Sequence, residues 1–527
     1  MLQVPFKACV DKNSNAAVST SLRAAVLIFL VATVSLALYS AAAGSQARWW
    51  FRCPECPGAT ARKVTQICHT PGFPEDNATS SPPPTNISHI AFGIGGSSAT
   101  WRHRRLYSEL WWQPNTTRGF VWLDKKPDPN STRSGYSSST SPPYRVSEDW
   151  TRFKYSSSAS AVRIARIVLE LFRVGLPDVR WFVMGDDDTV FFVDNLVTVL
   201  SRYDHRKMYY IGGNSESVEQ DEMHSYDMAF GGGGFAVSYP LAAELAKVLD
   251  GCLDRYHYFY GSDQRVWACM NELGIPLTKE RGFHQHILKD TMPDDNMMTW
   301  QPGDLNRLTL RTWIDIRGDP YGLLAAHPVA PLISLHHLDY VKPLFPNQTQ
   351  FESLNTLIHA YRVDPARTLQ QCFCYYRGRR RKWSISISWG YTVQIYPILL
   401  TANDLETPLQ TFHTWRSWSK GPFTFNTRPP SPDPCEQPMI YYLDWVQEVD
   451  NNETLTSYKR YVVESEKKCN KPDYRRAVER VVVSALKMDP DKWKKEPRRH
   501  CCEITSLKHG RLKAKIRSCE HRETVTI

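Results

Sequence analysis

Three consecutive carboxylates, Asp186, Asp187 and Asp188, close the run Trp181–Phe192, which reads WFVMGDDDTVFF. A D-x-D spacing lets two of them share one hard cation, and Mg²⁺ or Mn²⁺ takes such oxygens together with water and phosphate. Acid of this density at the end of an apolar run needs a counter-ion. A cation held there could bridge the diphosphate of a nucleotide and stabilise it as a leaving group. Two further stretches carry chemistry. Asp263, in GSDQRV, lies at a helix start beside Ser262, where a carboxylate adds favourable N-terminal charge. Four glycines in MAFGGGGFAVS, Gly232 and Gly233 at their centre, strip side chains from the backbone, which suits close approach to a ligand or a mobile hairpin.

The elements around these residues set their positions. WFVM reads as a buried strand of aromatic and β-branched residues. Ser156–Val174 precedes it as an amphipathic helix, with Ala161, Ile164, Ala165, Val168, Leu169 and Phe172 as its core stripe and Arg163, Arg166 and Arg173 between them. Upstream, HIAFGIGGSS reads as a strand entering a glycine turn, WRHRRLYSELWW as a helix, and GFVWLD as a second strand ending in Asp124. Strand, helix, strand is the rhythm of a parallel α/β sheet, whose ligands bind at the carboxyl edge. MYYIGG and FAVS add strands, Pro240–Leu249 and Ser262–Leu273 add helices, and Cys252 and Cys269 flank that unit and could pair. PLISLHHLD closes the region as a strand with two histidines.

Beyond about Phe345 the character changes. WSISISWGYTVQIY alternates at period two, and Cys372, Cys374, Cys435, Cys469, Cys501, Cys502 and Cys519 concentrate there, as in a β-rich, disulfide-stapled domain. Near the other end, residues 24–44 form 21 residues without a charge, enough to cross a bilayer as a helix, with Arg48, Trp49, Trp50 and Phe51 after them. The late start of this apolar run favours an uncleaved signal-anchor over a signal peptide. The Pro/Ser/Thr-rich residues 45–85 read as a stem, in which Cys53, Cys56 and Cys68 lack a convincing second pair for zinc. Six N-x-Ser/Thr sequons, at Asn77, Asn86, Asn115, Asn130, Asn347 and Asn452, follow the anchor. With thirteen cysteines they point to a lumenal, oxidising compartment. The net charge of +10 over 527 residues is mild, and no nucleic-acid-binding motif accompanies it.

In order, HIAFGIGGSSATWRHRR, GFVWLD, WFVMGDDDTVFF, YYIGGNSES, FGGGGFAVS, YGSDQRVWACMNELGIPLT, GFHQ and DIRGDPYGLLAAHPVAPLISLHHLD resemble the Fringe-like branch of the inverting β1,3-glycosyltransferases, glycosyltransferase family 31. The plant members with an appended C-terminal domain of unknown function (DUF604-type) are the most similar in layout. The resemblance implies a GT-A, Rossmann-like glycosyltransferase domain over residues 86–345, with residues 346–527 as the C-terminal domain. Residues 1–23 become a cytosolic tail, and the chain a single-pass type II Golgi membrane protein with its catalytic region lumenal.

The same resemblance implies a UDP-sugar donor, a glycan or glycoprotein acceptor, and Mn²⁺ (or Mg²⁺) held by Asp186 and Asp188. A histidine after the GF turn, His284 or His286, completes the metal site in the family, and His284 is the first choice. Asp263 stands where the family keeps its general base. Ser97, Arg104, Arg105, Asp186, Asp187, Gly232 and Gly233 match the region that receives the nucleotide. One stretch departs from the pattern: residues 286–313 interrupt the passage from GFHQ to D-x-RGD without clear periodicity, and read as a frame-preserving insertion such as a retained intron. Beside the metal site it could impair catalysis, so a glycan-binding or scaffold protein that lost turnover is the alternative. A metal-dependent hydrolase is weaker, because no second His/Asp set has convincing spacing.

Overall fold

The computed structural model describes Thr33 and residues 83–127, 140–154, 159–285, 316–379, 381–413, 423–449, 452–470, 478–495 and 497–526. The expected anchor 24–44, apart from Thr33, the stem up to residue 82 and the inserted stretch 286–313 lie outside these residues. Among the described residues no helix is long and apolar enough to cross a membrane.

The chain opens with β1 (Ile90–Gly95), α1 (Trp101–Trp111), β2 (Arg118–Leu123) and β3 (Tyr144–Val146), followed by α2 (Ala159–Arg173) and β4 (Trp181–Asp186). Next come β5 (Val190–Phe191), α3 (Val193–Leu200), β6 (Tyr210–Gly212), α4 (Val218–Met223), β7 (Phe235–Ser238), α5 (Tyr239–Arg255), α6 (Ser262–Glu272) and β8 (Leu277–Lys279). Seven of these strands form one sheet in the order β3-β2-β1-β4-β7-β6-β8. β1, β2, β3 and β4 run parallel, whereas β7 is antiparallel to both β4 and β6. Every residue of β1 is buried, as expected of a strand covered on both faces.

α2 lies over β1, packing its apolar stripe into a core shared with α5 and α6. The Cys252–Cys269 disulfide joins α5 to α6. Of the arginines between the stripe residues only Arg173 is exposed. Arg163 and Arg166 are buried, Arg163 donating to the Gly96 and Trp122 carbonyls and Arg166 pairing with Glu148, Glu170 and Asp250. Each guanidinium is tolerated inside because carbonyls or carboxylates satisfy it.

A second small sheet, β5-β11-β9, is built from β9 (Phe283–His284) and, after β10 (Arg317–Gly318) and α7 (Tyr321–Ala325), β11 (Ser334–Leu335). α8 (Gln350–Val363) follows. It is opened by a capping box in which the Thr349 hydroxyl and the Glu352 carboxylate each accept the other's backbone N–H.

The C-terminal region is a closed barrel of β12 (Gln371–Arg377), β13 (Lys382–Ser388), β14 (Thr392–Tyr396), β16 (Met439–Val449), β17 (Glu453–Tyr461), β18 (Arg480–Leu486), β19 (Cys501–Lys508) and β20 (Arg511–Arg517). β15 (Phe412–His413) stands outside it, paired with β10. Three disulfides lie in this region, Cys374–Cys502, Cys435–Cys469 and Cys501–Cys519. Closure removes the exposed edges of the alternating strands. The serine face of β13 is buried rather than wet, and Ser388 donates to the Leu324 carbonyl of α7.

The sheet and the barrel share one continuous hydrophobic core that runs from Ile90 to Ile516. α8 sits at the join: Tyr361 donates to Asp194 at 3.0 Å, and the Phe351 ring lies 4.7 Å from that of Tyr107. Phe345, where the two domains were expected to part, is buried within that core. Of the sequons, Asn86, Asn115, Asn347 and Asn452 are described, and all four are exposed.

Candidate active site

The chain leaves β1 toward β2 on one side of the sheet and leaves β4 toward β7 on the other, so a crevice opens at the carboxyl ends of β1 and β4. Gly95 pairs in register with Asp186, which sets the acidic triplet on that edge. The loop after β1 faces it and is firmly tied. Gly96 N–H donates to the Trp122 carbonyl, Ser98 N–H to the Asp124 carboxylate at 2.6 Å, and the Ser97 carbonyl accepts from Trp101 N–H to start α1.

Arg104 projects from the first turns of α1 onto the triplet. Its guanidinium lies 3.0 Å from Asp187 and 3.2 Å from Asp188, with Asp339 at 3.9 Å. On the opposite flank, His336 Nε2 is 3.1 Å from Asp188 Oδ1 and 3.6 Å from Asp186, and His337 Nε2 is 3.9 Å from Asp188 Oδ2. Both Asp188 oxygens and His336 Nε2 are nevertheless buried without an aligned hydrogen bond. Ligand atoms of Asp188, His336 and His337 lie within 4.8 Å of one another, and they suit a hard divalent cation that takes mixed oxygen and imidazole ligands.

Two adjacent histidines on an ideal strand would face opposite sides. The strand ends at Leu335, however, and His337 takes a left-handed conformation at φ 55°. The two rings therefore stack, 3.6 Å between centroids, and both address Asp188.

Burial pushes the Asp186 carboxyl up to about 6, with Asp188 adding to it and His336 opposing it. Burial and repulsion from Asp188 push Asp187 up to about 7. Asp188 is buried as deeply, but His336, His337 and Arg104 overcome that and hold its carboxyl well below the usual range. The triplet thus concentrates its negative charge on Asp188.

The glycine run is pinned. Thr189 accepts from Asp186 N–H at 2.8 Å through its hydroxyl, which itself donates to the Gly232 carbonyl at 2.7 Å, and Ser334 donates to the Gly233 carbonyl. A Cβ on Gly232 would stand 1.9 Å from the His336 ring. The close approach that the glycines permit is therefore to this imidazole. Gly231 N–H reaches Asp263 Oδ2 at 3.4 Å, and Asp263 and Asp186 line one cleft, partly open to solvent, with Gly231, Ser262, Ile164 and Met184.

Most of the residues read from the sequence meet here: Ser97, Arg104, Asp186, Asp187, Asp188, Gly232, Gly233 and Asp263. Two do not join them. Arg105 turns to Glu109 one helical turn on, because successive helix positions diverge by about 100° and only Arg104 faces the triplet. His284, expected on the metal, has both ring nitrogens engaged elsewhere, Nδ1 at 2.7 Å from Glu216 and Nε2 at 2.9 Å from His327. The next residue, Gln285, faces the other way and accepts from His336 Nδ1–H at 2.9 Å. His336, His337 and Gln285 were missed as a site; the paired histidines of SLHHLD were the available signal.

A family profile described as "Protein of unknown function, DUF604" matches residues 220–293 and 311–502, just over half of the chain. The match begins inside the α/β region and leaves out 294–310. Among curated proteins, the chain is similar to beta-1,3-N-acetylglucosaminyltransferase lunatic fringe of Xenopus laevis, at 24% identity over 201 residues, 34% of this chain and 49% of that protein. It is similar to the protein of the same name from Gallus gallus at 28% identity over 127 residues, 20% of this chain and 34% of that protein. The chain thus spans about half or less of the length of these relatives. Among solved structures, mouse xyloside xylosyltransferase 1 in its apo form aligns with a TM-score of 0.23 and 9% identity over 35% of this chain and 80% of that one.

Proposed function

The chain belongs to the DUF604 family, and from that premise we propose that it is an inverting, metal-dependent glycosyltransferase. It would move a hexose or N-acetylhexosamine from a UDP-sugar to a glycan or glycoprotein, forming a β1,3 linkage. One observation carries this reading: Asp188, buried with neither oxygen in an aligned hydrogen bond, sits between Arg104 and two histidines at the carboxyl edge of the sheet. The names of the lunatic fringe relatives support the sugar chemistry.

Asp186, Asp188, His336 and His337 would hold Mn²⁺ or Mg²⁺, which when bound neutralises the charge gathering on the departing diphosphate. Arg104, reached from the tied Ser97–Trp101 turn, would meet the same phosphates. Asp263 would take the proton of the acceptor hydroxyl as that oxygen attacks the anomeric carbon. The bond from that carbon to UDP breaks as the new one forms, and attack opposite the leaving group inverts the centre. We place the protein in the Golgi membrane by residues 24–44, with the described body lumenal.

The test is UDP release by the full chain with Mn²⁺ across a donor and acceptor panel, beside Asp263→Asn. Loss of a general base should lower turnover by about 10²–10⁴-fold. Turnover left intact by Asp263→Asn would remove that residue from the mechanism. A second reading, a glycan-binding protein that has lost turnover, draws on the break in the family match at 294–310, close behind β9. Saccharide binding without UDP release from any donor would favour it.

A further inference from the structure

A second cavity, away from the acidic triplet, lies at one end of the barrel against the loop between α7 and β11. It is a shallow recess partly open to solvent, and its described lining includes Arg367, Arg498, Arg499, His500, Gln370 and Gln371. Three lining residues are arginines and none is a carboxylic acid. Carboxylates stand around the wall: Asp364, 3.1 Å from Arg367, the half-exposed Glu406, 3.4 Å from Arg499, and Glu523, whose charge acts on Arg498 and whose backbone carbonyl accepts from it.

The charge is built in and not merely displayed. Arg367 is 3% exposed and Arg499 has a side chain 9% exposed, stacked over Phe373 with its centre 4.6 Å from the ring and bonded to the Gln371 carbonyl and side chain. Burial pulls the Arg499 guanidinium below its ordinary range. His500 lies between two cationic donors, Arg367 Nη1 at 3.0 Å from Nδ1 and Lys492 Nζ at 2.7 Å from Nε2. A neutral imidazole has one lone pair and one N–H, and arginine is always a donor, so Nδ1 accepts and Nε2–H is left facing the lysine. Burial, Arg367 and Lys492 push the His500 ring down to about 3, so it cannot relieve the site by taking up a proton.

We propose that this cavity binds an oxyanion, a phosphate, sulfate or carboxylate group, between the guanidiniums of Arg498 and Arg499. Planar guanidinium forks match the oxygen spacing of such groups, and exposed Arg498 at the mouth gives the anion an entry path. The anion would bridge the barrel to the Pro328–Ala330 loop, because Val329 lines the same cavity and Gln370 donates to the Ala330 carbonyl at 2.7 Å. The proposal is independent of the transferase reading.

The experiment is thermal unfolding of the full chain in EDTA with rising inorganic phosphate, ionic strength held constant with chloride. Variants Arg499→Gln and Arg498→Gln are run in parallel, the second chosen because its side chain is exposed and meets the protein at the Glu523 carbonyl. Wild type should show a saturating rise in Tm, and each variant should need about 10-fold more phosphate for the same rise. Galactose 6-sulfate and methyl glucuronide form the second arm: a shift with phosphate alone assigns a free anion, a shift with the saccharides assigns a charged glycan. A rise no larger than with chloride, or one equal in wild type and Arg498→Gln, overturns the proposal.

Discussion

Two pairs of buried histidines stand beside carboxylates on either side of the β9–β11 pairing, and their hydrogen bonds differ in kind. His284 and His327 form a closed chain: Glu216 to His284 Nδ1, His284 Nε2 to His327 Nε2, and His327 Nδ1 to the Pro328 carbonyl at 2.8 Å. Both ends of that chain only accept, and every ring nitrogen in it has a partner. His336 and His337 form an open arrangement, in which Gln285 fixes one nitrogen of His336 while its other nitrogen and both Asp188 oxygens lack an aligned bond. Each unsatisfied buried polar atom costs about 1–3 kcal/mol, so three at one point mark a place for something to bind. Buried histidine next to acid is a weak sign by itself; unfinished bonding distinguishes a ligand site from a structural clasp.

The contrast can be broken by removing one carboxylate from each pair. Asp188→Ala should lower UDP release with saturating Mn²⁺ by about 10³-fold, as several kcal/mol of charge stabilisation disappears. Glu216→Gln should leave turnover within about 3-fold and instead lower Tm, because it weakens a buried clasp. Equal losses of turnover in the two variants would erase the distinction.

A smaller effect sharpens it. Gln285→Leu should weaken Mn²⁺ binding by about 10–100-fold in calorimetry, since Gln285 accepts from His336 Nδ1–H and orients Nε2 as the nitrogen that would meet the metal. His327→Gln should leave that affinity unchanged. Unaltered binding in Gln285→Leu would show that the tautomer needs no such support.

The third outcome concerns pH. Burial, then the neighbouring His284 charge, push the His327 ring down to about 3, whereas in the unfolded chain it titrates near 6.5. Between those values the unfolded chain holds a proton that the native protein lacks. The contribution is therefore complete above pH 6.5 and declines as pH falls through that window, by at most about 1.4 kcal/mol per unit. Denaturant titrations at pH 7 and 5 should show a smaller drop for His327→Gln than for wild type. Parallel drops would exclude His327 as the source.

Much of this site was readable in the residues. WFVM followed by DDD identified strand and acid, and the family resemblance put Arg104 nearby. What escaped depended on angles that residue types leave open. Arg104 and Arg105 differ only in helical phase, and His284 and Gln285 only in strand parity. His337 joined His336 through one left-handed residue. The burial of Arg163 and Arg166 was not legible in the helix alone because their partners, the Gly96 and Trp122 carbonyls and Asp250, come from distant segments. The period-two pattern of WSISIS foretold strands, but not that α7 would cover their polar side.

Closure of the barrel also sets a schedule. β12 is completed by β19, and Cys374 by Cys502, 128 residues later in the chain. At a synthesis rate of roughly 5–20 residues per second, the first wall of the barrel waits roughly 6–25 s for its partner. During that interval Trp383, Ile385 and Ile387, all wholly buried in the finished protein, face the cell without their cover. The yield of folded protein in a host should therefore depend on how well those residues are shielded during the wait as much as on the final stability.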